Sequence, residues 1–131
     1  MNGLQVSIFL ENAKGRLAEV LNILTERGVN LRALSLADTK DYGVLRIMVD
    51  EPENVAKILK EQNCVVSLAP VWVLKVPDQA GGLAGVLNQL VHAGVIVEYM
   101  YAFVEKENEQ AQVVLRVQDE KVMAEAVKGL N

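Results

Sequence analysis

The residues of this 131-residue sequence best equipped for chemistry stand in two short loops. Asn12-Ala13-Lys14-Gly15-Arg16-Leu17 and Asp78-Gln79-Ala80-Gly81-Gly82-Leu83 each set an amide or carboxylate ahead of glycine and then open an apolar-periodic stretch. A loop that leads into a helix suits an anion. The first backbone N–H groups lack partners within the helix, and the positive end of its dipole lies there. Gly15, Gly81 and Gly82 permit close backbone approach. Asn12 and Asp78 have two readings, a polar contact to a ligand or a cap on the helix that follows. The chemistry is that of binding. His92, the single histidine, sits late in its helical stretch, where a cation meets the negative dipole end. Cys64, the single cysteine, leaves no internal disulfide and no multi-cysteine metal site. It reads as a small buried hydrophobe, and neither metal nor cofactor is expected.

The loops belong to one unit written twice. Gly15, Leu17, Ala18, Val20, Leu21, Asn22, Leu24, Gly28 and Val29 return 66 residues on as Gly81, Leu83, Ala84, Val86, Leu87, Asn88, Leu90, Gly94 and Val95. So long a spacing makes each copy a small domain rather than a solenoid turn, with boundaries at 1–69 and 71–131. Leu17, Val20, Leu21 and Leu24, like their counterparts, recur at helical steps and predict a buried face. Gly28 and Gly94 stand where left-handed C-terminal caps belong.

Strands are expected over 4–10, 29–38, 44–49 and 64–68, with a second helix from Pro52 to about 62. The second copy repeats this with strands over 71–76, 95–105 and 111–118 and a helix over 119–128. Its hairpin turn, Glu105-Lys106-Glu107-Asn108-Glu109, is four residues longer than its counterpart and reads as solvated. Ala69-Pro70 is the expected hinge, too short for a flexible linker. Nothing matches strand 64–68 at the end of the second copy. Either three strands suffice there or a neighbouring chain lends one. Tyr99, Tyr101 and Phe103 alternate and so share one face. Core packing is the first account of them and a ligand side-chain pocket the second. Val6, Ile8, Leu34 and Leu36 are assigned to the back of the sheet, away from the helices, which points to a homodimer.

Composition narrows the classes. A 51% hydrophobic share with 23% charged residues is that of an ordinary globular chain. A net charge of −4 argues against nucleic acid. No basic-then-apolar leader opens the sequence and no apolar run nears ~18 residues, so neither secretion nor membrane insertion is expected. A cytoplasmic location fits the single cysteine.

Each copy reads β-α-β-β-α-β, the second without its last strand. This is the ferredoxin-like arrangement, an α+β fold with antiparallel sheets and helices on one face. The fold hosts many activities, so residues must decide. RNA-recognition versions need aromatics on the central strands, and 44–49 and 111–118 have none. Heavy-metal versions need C-x-x-C at the first helix, where Asn-Ala-Lys-Gly stands. An acylphosphatase-like enzyme needs an arginine beside a phosphate-cradling loop; Arg16 and Asn12 are at hand, but the glycine cradle is not. Residue by residue the chain resembles a tandem ACT-domain protein. The resemblance rests on Asn12-Ala13-Lys14-Gly15-Arg16-Leu17 with Gly28-Val29-Asn30-Leu31, and on Asp78-Gln79-Ala80-Gly81-Gly82-Leu83 with Gly94-Val95-Ile96-Val97. It covers nearly the whole chain. Lys14 replaces a proline frequent in the family, and Ile96 replaces the second-strand asparagine.

The resemblance implies two ACT domains side by side, with ligands between the first loop of one and the second strand of its neighbour. One implied site combines Asp78, Gln79, Ala80, Gly81, Gly82 and Leu83 with Asn30 and Arg32. The pseudo-symmetric one combines Asn12, Ala13, Lys14, Gly15, Arg16 and Leu17 with Ile96 and Glu98. A free amino acid offers a carboxylate to the helix N-terminus and an ammonium to Asp78 or Asn12, while Asn30 serves either end. Asp78 supplies a countercharge, so the first site is favoured. The implied function is non-catalytic: a stand-alone regulatory protein that binds an amino acid at the domain interface and signals to a partner, such as an enzyme of amino-acid metabolism. An oligomerisation module without ligand and an acylphosphatase-like enzyme are the alternatives.

Overall fold

The computed structural model describes residues 1–11, 13–38 and 41–130. Its elements are β1 (Gly3–Glu11), α1 (Arg16–Glu26), β2 (Ala33–Asp38), β3 (Tyr42–Met48), α2 (Pro52–Glu61), β4 (Val65–Pro77), α3 (Gly82–His92), β5 (Val97–Ala102), β6 (Gln110–Val117) and α4 (Glu120–Lys128). They form two compact units, residues 4–69 and residues 70–131 together with 1–3. Among the described residues no helix is long and apolar enough to cross a membrane.

In the first unit the strand order is β2-β3-β1-β4, with β3 antiparallel to both β1 and β2. Val6, Ile8, Leu10, Leu45 and Ile47 form its core with Val20 and Leu24 of α1 and Val55 and Leu59 of α2. Cys64 closes that core, 6% exposed. The expectation for Val6 and Ile8 is corrected here: they lie under the helices, not on the back of the sheet. The amphipathic helices need an apolar partner, and the alternation that supplies it is the one holding Val6 and Ile8. Leu34 and Leu36 lie across from Ile47 and Leu45, hence on the same face. They sit on an edge strand and stay 43% and 49% exposed. The opposite face carries Ser7, Arg46 and Ser35 in register and, beside them, Phe9, Val44 and Ala37, with Phe9 41% exposed.

In the second unit β4 and β5 flank β6, both antiparallel to it. Leu74, Val76, Val113, Leu115 and Val117 pack with Leu90 of α3 and Met123 of α4. A bulge between Val97 and Tyr99 sets the register of β5. Met100 pairs with Leu115 on the helix side, whereas Tyr99 and Tyr101 oppose Arg116 and Val114 on the other face. Tyr99 and Tyr101 thus share one face, as expected, and are half-buried there.

At the join between copies one expectation is corrected, and of the two accounts of the missing last strand the three-strand one holds, with β4, β6 and β5. Ala69 and Pro70 are not a loop between strands; they lie inside β4, which runs unbroken through 13 residues. Proline's fixed φ fits an extended chain, and only its N–H is lost. Its carbonyl accepts from Arg116 Nη1 at 2.6 Å. The free edge of β4 in the second unit is met by the head of the same chain. Asn2 donates its backbone N–H to Val71 O at 3.2 Å. Its carboxamide donates to Val73 O at 2.9 Å and accepts the Val73 N–H at 2.6 Å, so the side chain acts as one more peptide group.

Candidate functional site

The duplication holds at the level of single hydrogen bonds. Ala13 N–H donates to Glu11 O and Arg16 N–H to Ala13 O. Sixty-six residues on, Gln79 N–H donates to Pro77 O and Gly82 N–H to Gln79 O. Gly15 and Gly81 are the N-caps of α1 and α3, with φ of 81° and 82°. Only glycine enters that left-handed conformation without strain. The helices end alike, Val29 N–H reaching Leu24 O and Val95 N–H reaching Leu90 O, past Gly28 and Gly94 with positive φ.

Among the described residues no side chain caps either helix. The capping alternative for Asp78 is therefore corrected: glycine takes the cap position, and the carboxylate turns elsewhere. Asn12 lies outside the described residues. Asp78 is ion-paired with Lys106, and its backbone N–H donates to Glu109 O at 3.1 Å. The hydrogen bond that Lys106 donates to Asp78, and then the Asp78 charge, hold the Lys106 ammonium above its ordinary pKa. Both partners come from a polar hollow of about 470 Å³, shared with Gln79, Asn108, Glu109 and Gln110. That volume falls within the range of about 300–1,000 Å³ usual for small-molecule sites.

The hollow owes its far wall to the β5–β6 turn. Glu107 and Gln110 exchange backbone hydrogen bonds at 3.0 and 2.9 Å, and Asn108 and Glu109 between them have φ of 51° and 63°. Two successive positive φ values mark a type I′ hairpin turn. Lys75 and Glu107 add an ion pair at 3.6 Å. The turn is exposed, as expected, yet it is tied to the loop ahead of α3. Lys106 and Asn108 line this hollow, and sequence reasoning missed them. The signal was the turn's four extra residues, which had no stated use.

Gly82 has a role the sequence did not show. A Cβ there would lie 2.0 Å from Pro77 O, so the close approach it permits is to its own chain. Leu83 and Leu17 pack on their cores. Ala80 is exposed, as are Ala13 and Lys14 in the first loop. Arg16 donates to Glu19 at 2.9 Å and reaches Cys64 Sγ at 4.0 Å; the hydrogen bond to Glu19 raises its pKa further. The hollow beside Ala13 and Leu17 is about 110 Å³, lined by Leu10, Leu36 and the carboxylates Glu11 and Asp38. It is smaller and more apolar than its counterpart.

Asn30 and Arg32 precede β2 and Ile96 precedes β5, so of the four residues expected on second strands only Glu98 lies in one. Arg32 pairs with Asp50 at 2.9 Å, and Asn30 lines a hollow with Arg27, Asp50 and Asn54. Glu98 is 3.6 Å from Arg116 Nε, and Ile96 is 57% exposed. Asn30 and Arg32 belong to the first unit and residues 78–83 to the second; residues 13–17 and the pair Ile96 and Glu98 are divided the other way. Among the described residues no group of three or more His, Cys, Asp or Glu could hold a metal ion.

Comparison with known proteins agrees with this architecture. Protein BT0572 from Bacteroides thetaiotaomicron is 39% identical, with a TM-score of 0.88 over 96% of this chain and 86% of its own. The regulatory subunit of aspartate kinase from Thermus thermophilus is 15% identical, with a TM-score of 0.65 over 98% and 92% of the two chains. Aspartokinase III of E. coli, in complex with lysine and aspartate, is 17% identical, with a TM-score of 0.51 over 98% of this chain and 32% of its own. The comparison with curated proteins gives no match. A family model described as an ACT domain pair matches residues 1–128. The chain belongs to the ACT domain pair family.

Proposed function

We propose that the chain is a non-catalytic regulatory protein that binds a free amino acid at the loop between β4 and α3 and reports it to a partner, an enzyme of amino-acid metabolism. One observation carries this: the uncapped N-terminus of α3 follows a polar hollow that holds the Asp78 carboxylate. The helix end suits the ligand's carboxylate and Asp78 its ammonium. Lysine and aspartate, bound by the E. coli neighbour, carry that same pair of charges. The family resemblance adds Asn30 and Arg32, and Asn30→Ala tests that half of the expectation separately.

A ligand acts only through differential affinity for two states. Pairing with a second copy is the two-state element we propose, supported by exposed Leu34 and Leu36 on edge strand β2. Thermal-shift screening with the twenty L-amino acids is the test. The responding amino acid should stabilise the protein by about 2.7 kcal/mol at a hundred times its Kd. Asp78→Asn should weaken that affinity about tenfold or more, and light scattering should show molar mass changing with ligand. No response to any amino acid would remove this reading. The second reading, an assembly module without ligand, would then stand; Asp78 and Arg32 already having partners favours it.

A further inference from the structure

We propose that Lys106 is a built-in competitor at Asp78, its ammonium holding the position that the ammonium of a free amino acid takes on binding. The proposal rests on the amino-acid reading of this loop and adds to it a device that sets affinity. Lys106 pairs with Asp78, and the turn that carries Lys106 is the longer of the two hairpin turns. Two further contacts hold that turn in place independently of Lys106: Asp78 N–H to Glu109 O at 3.1 Å, and Lys75 to Glu107 at 3.6 Å. An incoming ammonium therefore has only one flexible side chain to displace, not the turn.

The Lys106 side chain is 68% exposed and that of Asp78 is 42% exposed. An exposed pair on a long stem is weak, so it yields to a ligand that also engages the helix N-terminus. While the hollow is empty, the pair keeps the Asp78 charge matched. The exchange is of one ammonium for another and leaves the net charge of the protein's own groups unchanged.

The test is titration calorimetry of the 131-residue chain and its Lys106→Met and Lys75→Met variants with each of the twenty L-amino acids. Lys106→Met should bind the responding amino acid about 1.5- to fivefold more tightly than the parent, the span that exposed ion pairs cover. Binding by Lys106→Met alone supports the proposal equally. Lys75→Met cuts the turn's other ion pair, leaves Asp78 occupied and should bind like the parent. Equal or weaker binding by Lys106→Met, or equal tightening by Lys75→Met, overturns the competitor and leaves the amino-acid reading in place. Silence from all three proteins overturns both.

Discussion

Gly81 and Gly82 are neighbours with different duties. Gly81 has φ of +82° and open space where a Cβ would go, whereas Gly82 would drive a Cβ to 2.0 Å from Pro77 O. One need is conformational and the other steric. Gly81→Ala should therefore cost about 1–2 kcal/mol, the penalty of a left-handed alanine, with the loop's path kept. Gly82→Ala should cost more, because backbone must move, and it should speed hydrogen exchange in the first turn of α3. Urea unfolding midpoints and exchange rates check both. The position 66 residues before Gly82 holds Arg16, so the first loop leaves room that the second does not. The sequence shows two adjacent glycines in a loop; which need each one meets depends on where Pro77 turns, and no local pattern encodes that.

Elements were legible where periodicity is strong and one partner suffices. Helices α1 and α3 follow from Leu17, Val20, Leu21 and Leu24 and their repeats, and Pro52 marks the start of α2. Facing within the sheet was less so. Val6 and Leu34 alternate with polar residues equally well under either assignment, and only packing against α1 and α2 decides. Pro70 read as a break because local rules penalise proline in strands, while β4 tolerates it. For the site, the glycine loops were legible and Lys106 was not, since its pairing depends on the course of a turn. That course gives a test of its own. Glu109 takes φ of 63° in the second position of the turn, where type I′ geometry favours glycine. Glu109→Gly should raise stability by about 1 kcal/mol, because the backbone keeps its bond to Asp78 and loses a strained side chain. An unchanged or lowered unfolding midpoint would count against the turn assignment.

Across the molecule, the chain passes between its two units twice, at Gly3–Leu4 and at Ala69–Pro70, and both crossings lie inside strands. The second unit is therefore discontinuous in sequence. Its β4 edge, expected to stay bare or to borrow a neighbour's strand, is met by Asn2 from 71 residues away. A contact that distant carries no local signature, which is why the repeat alone left the strand count unresolved. The cost of ordering so long a loop must be met by contacts made after it closes, and the Asn2 carboxamide supplies two of them. Asn2→Ala should then cost about 1–2 kcal/mol from the two lost hydrogen bonds, felt first in the second unit. The Val73 amide, which donates to Asn2 Oδ1, should exchange about tenfold faster or more, while the amides of Leu45 and Ile47 in β3 keep their rates. Equal acceleration in both units would mean that they open as one body, and an unchanged Val73 would mean that the head of the chain does not complete the second unit.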